Sequence, residues 1–144
     1  MSVPAYRRNE SHLKVLNLAM DVFDEAMRLV KKEQLVAKKN LRFVGEPFIQ
    51  HLRELIYKIA LANNLHTNDL DELHKRLKIQ NDAKLTIVVL MADIQMLMRL
   101  TSNSKMLGQY CNVIQLMDKL KGSLNNWMKH SKDLINNFSN VEQI

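Results

Sequence analysis

Residues 68–132 read NDLDELHKRLKIQNDAKLTIVVLMADIQMLMRLTSNSKMLGQYCNVIQLMDKLKGSLNNWMKHSK. Apolar residues recur here at spacings of three and four, the period of an amphipathic helix, and the only break is Thr101-Ser102-Asn103-Ser104. The stretch therefore predicts two long helices back to back. The first spans about residues 69–100, roughly 48 Å at 1.5 Å per residue. Its core candidates are Leu70, Leu73, Leu77, Val88, Met91, Ile94 and Met98. Its polar middle, residues 78–84, gives way to residues 85–92, which are apolar nearly all round. A helix apolar on more than one face has more than one neighbour, either as the central helix or against another subunit. The second helix, about residues 106–137, points Tyr110, Val113, Met117, Leu120, Leu124, Trp127 and Leu134 inward. Gly122 in its middle costs about 1 kcal/mol against Ala, and close helix packing is the expected reason.

Working outward, Leu13, Leu16, Met20, Phe23, Met27 and Val30 line one face of an earlier helix, with Ser11 or Asn9 as its cap. Residues 34–42 form a connection with a Lys38-Lys39-Asn40 turn. Another helix begins near Phe43. Pro47 fits only its first turn, where a missing N–H has no partner to lose. Its stripe is Phe48, Leu52, Leu55, Ile59 and Ala62. Thr67 or Asn68 is the expected cap of the helix that follows, with Asp69 and Asp71 suiting its positive end. Four amphipathic helices on short connections predict an all-α, up-down-up-down four-helix bundle. Its expected organisation is an N-terminal arm over residues 1–10, a bundle over 11–138 and a frayed tail over 139–144.

Composition agrees with that class. The chain has 144 residues, enough for one domain with a real core and too few for two. Three glycines and two prolines are too few turn residues for an all-β protein of this size. The net charge is +6 and unevenly placed: +4 over residues 1–42, zero over 43–101 and +2 over 102–144. Such a balance biases a small protein toward anionic partners. The single cysteine, Cys111, has no intrachain disulfide partner and reads as a small core residue. No apolar run approaches the roughly 18 residues of a membrane span, and the first residues lack the apolar region of a secretion signal. A soluble, cytoplasmic protein is expected.

Catalytic patterns are thin. His51-x2-Glu54 has the spacing of half a di-iron motif, but a carboxylate bundle needs a second such motif and two further glutamates. Neither is present in a suitable helix, so no metal is expected, and His51 and Glu54 read as solvated. Arg7-x4-His12 fits a short pattern of some helical ribonucleases, but Arg7 falls in the expected arm. There is no Gly-rich phosphate loop and no nucleophile in a recognisable setting. A non-enzymatic protein without a cofactor is expected. The basic positions remain, and cations so spread can track a phosphate backbone without reading bases. Tyr110 and Trp127 read as core or subunit-interface anchors rather than base-stacking platforms.

The order and spacing of several segments resemble the four-helix-bundle accessory proteins of diversity-generating retroelements, the accessory variability determinant (Avd) family. The likeness is best over about residues 75–132. Lys75-Arg76-Leu77-Lys78-Ile79-Gln80-Asn81-Asp82-Ala83-Lys84-Leu85 stands for the family's Arg-Arg-Leu-x-Tyr-Gln-x2-Ala-x-Thr-x-Leu segment. Gln109-Tyr110 matches its Gln-Tyr, and Leu124-Asn125-Asn126-Trp127-Met128-Lys129-His130-Ser131 matches its Leu-x2-Trp-Ile-Lys-Ser ending. Lys38-Lys39-Asn40-Leu41-Arg42-Phe43 resembles the basic turn into the family's second helix. Lys75, Ile79, Gly108 and Glu46-Pro47 depart from the usual pattern. The wider superfamily includes bundle proteins encoded in ribosomal-RNA intervening sequences.

The resemblance implies a basic homopentameric barrel that binds a reverse transcriptase and RNA or DNA and supports mutagenic reverse transcription, without being the polymerase. The alternative is a structural or interaction bundle of the intervening-sequence type with no nucleic-acid role. The residues expected to contact phosphate or polymerase, without sequence preference, are Arg42, Arg53, Lys58, Lys75, Arg76 and Lys84. They are expected to share one face.

Overall fold

The structure is a computed structural model that describes residues 10–32, 35–101 and 104–142. Of the expected N-terminal arm only Glu10 is among them, as the first residue of a helix; Asn9 and Arg7, and the side chains of Ser11 and His12, lie outside the described residues. Four long helices make up the fold: α1 (Glu10–Val30), α2 (Glu46–Asn63), α3 (Leu70–Leu100) and α4 (Cys111–Glu142). No strand occurs among the described residues. A single helical turn, Lys38–Asn40, and a wide π turn, Leu41–Gly45, lead into α2, so helical backbone begins earlier than Phe43. A 3₁₀ segment, Ser104–Tyr110, leads into α4, which runs on through residues 139–142 of the expected tail. Helix α1 packs on α2 and α4, and α3 packs on the same two, which sets the four around a common core.

That core follows one rule on every helix. The buried residues are Val15, Ala19, Val22, Ala26 and Leu29 on α1, and Phe48, Leu52, Leu55, Ile59 and Ala62 on α2. On α3 they include Leu73, Arg76, Gln80, Ala83, Ile87, Leu90, Ile94 and Leu97. On α4 they include Val113, Met117, Leu120, Leu124, Trp127 and Ser131, with Tyr110 just ahead of the helix. Spacings of three and four alternate throughout, the seam of knobs-into-holes packing.

The stripes expected on α2 and α4 coincide with this seam, apart from Leu134, which is half-buried. On α1 the seam lies one residue before the expected row: Leu16, Phe23, Met27 and Val30 flank the core and Met20 is exposed. Both rows are apolar, and the row with two alanines lets α1 approach its neighbours closely. On α3 the expectation drifted onto the flanking row. Leu77, Met91 and Met98 are half-buried and Val88 is 61% exposed. The seam was disguised because two of its positions hold Arg76 and Gln80.

The turns have local causes. Asp69, not Thr67 or Asn68, caps α3, its carboxylate accepting the Asp71 N–H at 2.9 Å. In the π turn the Glu46 N–H reaches back to the Leu41 carbonyl. The widening sits where the ring of Pro47 would otherwise meet the Phe43 carbonyl one turn back. Gly45 is buried on the inner side of that turn, where an added Cβ would come within 2.9 Å of Leu41 Cδ1. The absence of a side chain there lets the turn lie against the end of α1.

The connections after α1 and after α3 meet at one end of the bundle. The Tyr110 hydroxyl donates to the Leu35 carbonyl at 3.0 Å and lies 2.9 Å from the Thr101 hydroxyl. Thr101 Oγ1 is itself 2.9 Å from the Leu97 carbonyl and 3.2 Å from that of Leu35. Lys32 Nζ donates to Gln109 Oε1 at 3.3 Å. Two such connections sharing an end is what an up-down-up-down order requires.

Two small residues differ from expectation. Cys111 is exposed rather than core. Gly122 is exposed, and a Cβ added to it would meet nothing within 4 Å, so close packing within the chain does not explain it. Gly122→Ala is accordingly expected to raise the unfolding free energy by about 0.5–1 kcal/mol through lower unfolded-state entropy. Chemical denaturation checks this, and a destabilised variant would show that the helix surface at Gly122 is occupied.

Candidate functional site

The six cationic positions singled out in the sequence do not form one surface. Arg42 is exposed on the π turn, at the end where the two connections meet. Arg53 is exposed on α2; its guanidinium donates to the Tyr57 hydroxyl at 3.0 Å and lies 5.9 Å from that ring's centroid. Lys58 is half-buried and donates to Thr86 Oγ1 at 2.8 Å across the α2–α3 contact. Thr86 in turn donates to the Asp82 carbonyl. Lys75 is exposed and Lys84 half-buried on α3. Nine residues separate them, about two and a half helical turns, which places them on opposite sides of that helix.

Arg76 is the clear correction. It is 1% exposed, with its guanidinium carbon 5.0 Å from the centroid of the Trp127 ring. Such a side chain cannot reach a phosphate outside the bundle. Its Nε and Nη2, and both side-chain polar atoms of the fully buried Gln80, lack a hydrogen-bond partner. Burial lowers the guanidinium pKa from its ordinary value because the charged form is poorly solvated there. The attraction of the ring, about 2 kcal/mol when desolvated, offsets part of that penalty. Arg76 and Gln80 are polar residues at seam positions of α3, and Arg76 meets α4 at Trp127. Arg76→Met, of similar length and apolar, is expected to leave nucleic-acid affinity within about twofold and to match or exceed the wild-type stability, by up to about 2 kcal/mol. Denaturation and binding curves on the same preparation check this; a large loss of affinity with stability intact would return Arg76 to the binding surface.

The structure gathers other cations instead. Lys31, Lys38, Lys39 and Arg42 are exposed and Lys32 half-buried around the connection after α1. The bonds from Tyr110 and Thr101 to Leu35 bring the end of α3, with exposed Arg99, and the Ser104–Tyr110 segment, with exposed Lys105, to the same end. Arg28 lies one turn further in and is engaged by Glu25, and this pairing holds the Glu25 carboxyl below its usual range. Tyr110 is not a titrating member of this end: burial pushes its hydroxyl pKa up, partly countered by the bond with Thr101. Phe43 projects from the same end and is 76% exposed.

A second feature lies between α2 and α3. His51 Nδ1 is 2.6 Å from Oδ2 of the buried Asp93, so His51 is held by a carboxylate rather than freely solvated; Glu54 beside it is exposed. His51 borders a shallow groove of about 310 Å³ that also touches Glu54, Lys58, Asp82, Leu85, Thr86 and Val89. His51 and Asp93 stand 42 residues apart, and no local pattern signals such a pairing. Among the described residues no group of three or more His, Cys, Asp or Glu side chains could hold a metal ion. Outward of the groove α3 leaves a continuous apolar strip: Leu85 is 57% exposed, Val88 61%, Val89 44% and Met96 47%, with Ala92 among them. This is the second apolar face read from residues 85–92. Among the described residues no helix is long and apolar enough to cross a membrane.

Compared with known proteins, the chain matches no family model, no curated protein and no solved structure. The segments that carry its resemblance to the retroelement accessory proteins can still be placed. Arg76, Gln80, Ala83, Tyr110, Leu124 and Trp127 are all buried, so those motifs encode how this bundle is packed.

Proposed function

We propose that the chain is a non-catalytic accessory protein of a diversity-generating retroelement. In this reading it works in the cytoplasm, binding a reverse transcriptase together with RNA or DNA and supporting mutagenic copying. The observation that carries the reading is the separation of two surfaces on one bundle. One end of the bundle pools the cations of two connections, which suits a phosphate backbone. The flank of α3 presents an apolar strip, which suits a protein neighbour. The basic end would hold nucleic acid without reading bases, through Arg42 and its neighbours rather than Arg76. Arg53, Lys75 and Lys84 would supply contacts away from that end. The strip of Leu85, Val88, Val89 and Met96 would bury itself against further copies, as a homopentamer by the resemblance. Because the shared motifs are core residues, they equally suit an intervening-sequence bundle with no nucleic-acid role, and the test must separate the two.

Mobility-shift and sedimentation measurements on one preparation do so. Wild-type protein is expected to bind RNA and DNA of unrelated sequence and to lose affinity steeply between about 50 and 200 mM salt. It is expected to sediment as an oligomer, and Val88→Asp as a monomer with an unchanged helical spectrum. An oligomer that ignores nucleic acid at low salt would favour the intervening-sequence reading. A wild-type monomer would remove the role assigned to α3.

A further inference from the structure

We infer that Phe43 is a base-stacking platform for single-stranded nucleic acid, set in the basic end of the bundle. The inference rests on the proposed nucleic-acid role and adds to it the kind of strand and the residue that selects it. Phe43 is the most exposed large hydrophobic side chain among the described residues, at 76%. Leaving a phenyl ring in water forgoes about 2 kcal/mol of burial, and nothing in the fold requires it at this position. The ring is not on a loose loop. Leu41 and Val44 on either side pack against the core, and Gly45 is buried against Leu41, Val36 and Val30. The π turn therefore presents the ring from a backbone that the core holds in place.

The charges around it choose the occupant. Arg42 is adjacent and exposed, and the exposed Lys39 and Lys38 stand four and five residues back, about one turn away. Over residues 35–46 only Glu46 opposes these three cations. Lysine is depleted at the centre of protein–protein interfaces, where an ammonium group would lose its water. A flat apolar ring among cations is instead the pairing that binds single strands: the phosphates meet the cations while a base lies on the ring. A duplex keeps its bases stacked inside and offers the ring no face.

Fluorescence anisotropy with three probes of about 20 nucleotides tests this: oligothymidylate, an abasic strand of equal length, and a duplex. Phe43→Leu keeps the apolar bulk and removes the ring. It is expected to weaken oligothymidylate binding roughly 5- to 100-fold, and to leave abasic-strand and duplex binding within about twofold. The salt slope should not change. Phe43→Trp should bind oligothymidylate at least as tightly as wild type. Lys39→Gln should instead weaken all three probes and lower the single-strand salt slope by about 0.7. If Phe43→Leu binds oligothymidylate as wild type does, the inference is overturned while the nucleic-acid role stands. Loss of a co-expressed reverse transcriptase by Phe43→Leu, with oligothymidylate affinity kept, would overturn it in favour of a protein contact. Wild-type protein that binds none of the probes would remove the proposed function as well.

Discussion

A single buried hydroxyl ties one end of this bundle together. Tyr110 stands where α3 has ended and α4 has not begun, and its hydroxyl donates to the carbonyl of Leu35, in the connection between α1 and α2. Thr101 joins the same cluster from the end of α3. A buried carbonyl without a partner costs about 1–3 kcal/mol, so Tyr110 and Thr101 hold that connection against the bundle rather than merely touching it. The consequence reaches the surface. Lys31, Lys38, Lys39 and Arg42 belong to one connection and Arg99 and Lys105 to the other, and the lock holds the two connections at the same end of the bundle. It also fixes the base from which the π turn presents Phe43.

Much of the fold was legible because burial on α2 and α4 follows apolar identity. Phe48, Leu52, Leu55, Ile59 and Ala62, and the run from Tyr110 to Trp127, are both the apolar stripe and the seam. The reading failed where identity and burial part company. On α1 two adjacent rows are apolar, and only packing decides that Val15, Ala19, Val22, Ala26 and Leu29 face inward. On α3 the seam contains Arg76 and Gln80, which no hydrophobic count would choose, while Val88 and Leu85 look inward by composition and lie outside. The double apolar character of α3 was nevertheless readable, and it is what leaves a strip uncovered.

The candidate site was less legible, for a related reason. Single cations carry no sign of which face they occupy, so buried Arg76 and surface Lys75 looked alike in the sequence. Lys58 turned out to serve Thr86, and Arg53 to lie beside Tyr57. The gathering of positive charge depends on a contact between residues 75 apart, which no local window contains. Arg76, Gln80, Ala83, Tyr110, Leu124 and Trp127, the residues of the family-like motifs, lie in the core and pack it. They say little about the surface, where function must act, and the functional reading therefore rests on exposed charge and exposed apolar area.

The lock at Tyr110 is tested most directly by Tyr110→Phe, with amide hydrogen exchange followed across residues 35–45. The account predicts a loss of about 1–2 kcal/mol in unfolding free energy. It also predicts faster exchange confined to the connection and the π turn, while the α2 and α4 interiors keep their protection. Unchanged stability together with unchanged exchange at that end would contradict it, since the basic end would then be held by something other than the Tyr110 hydroxyl.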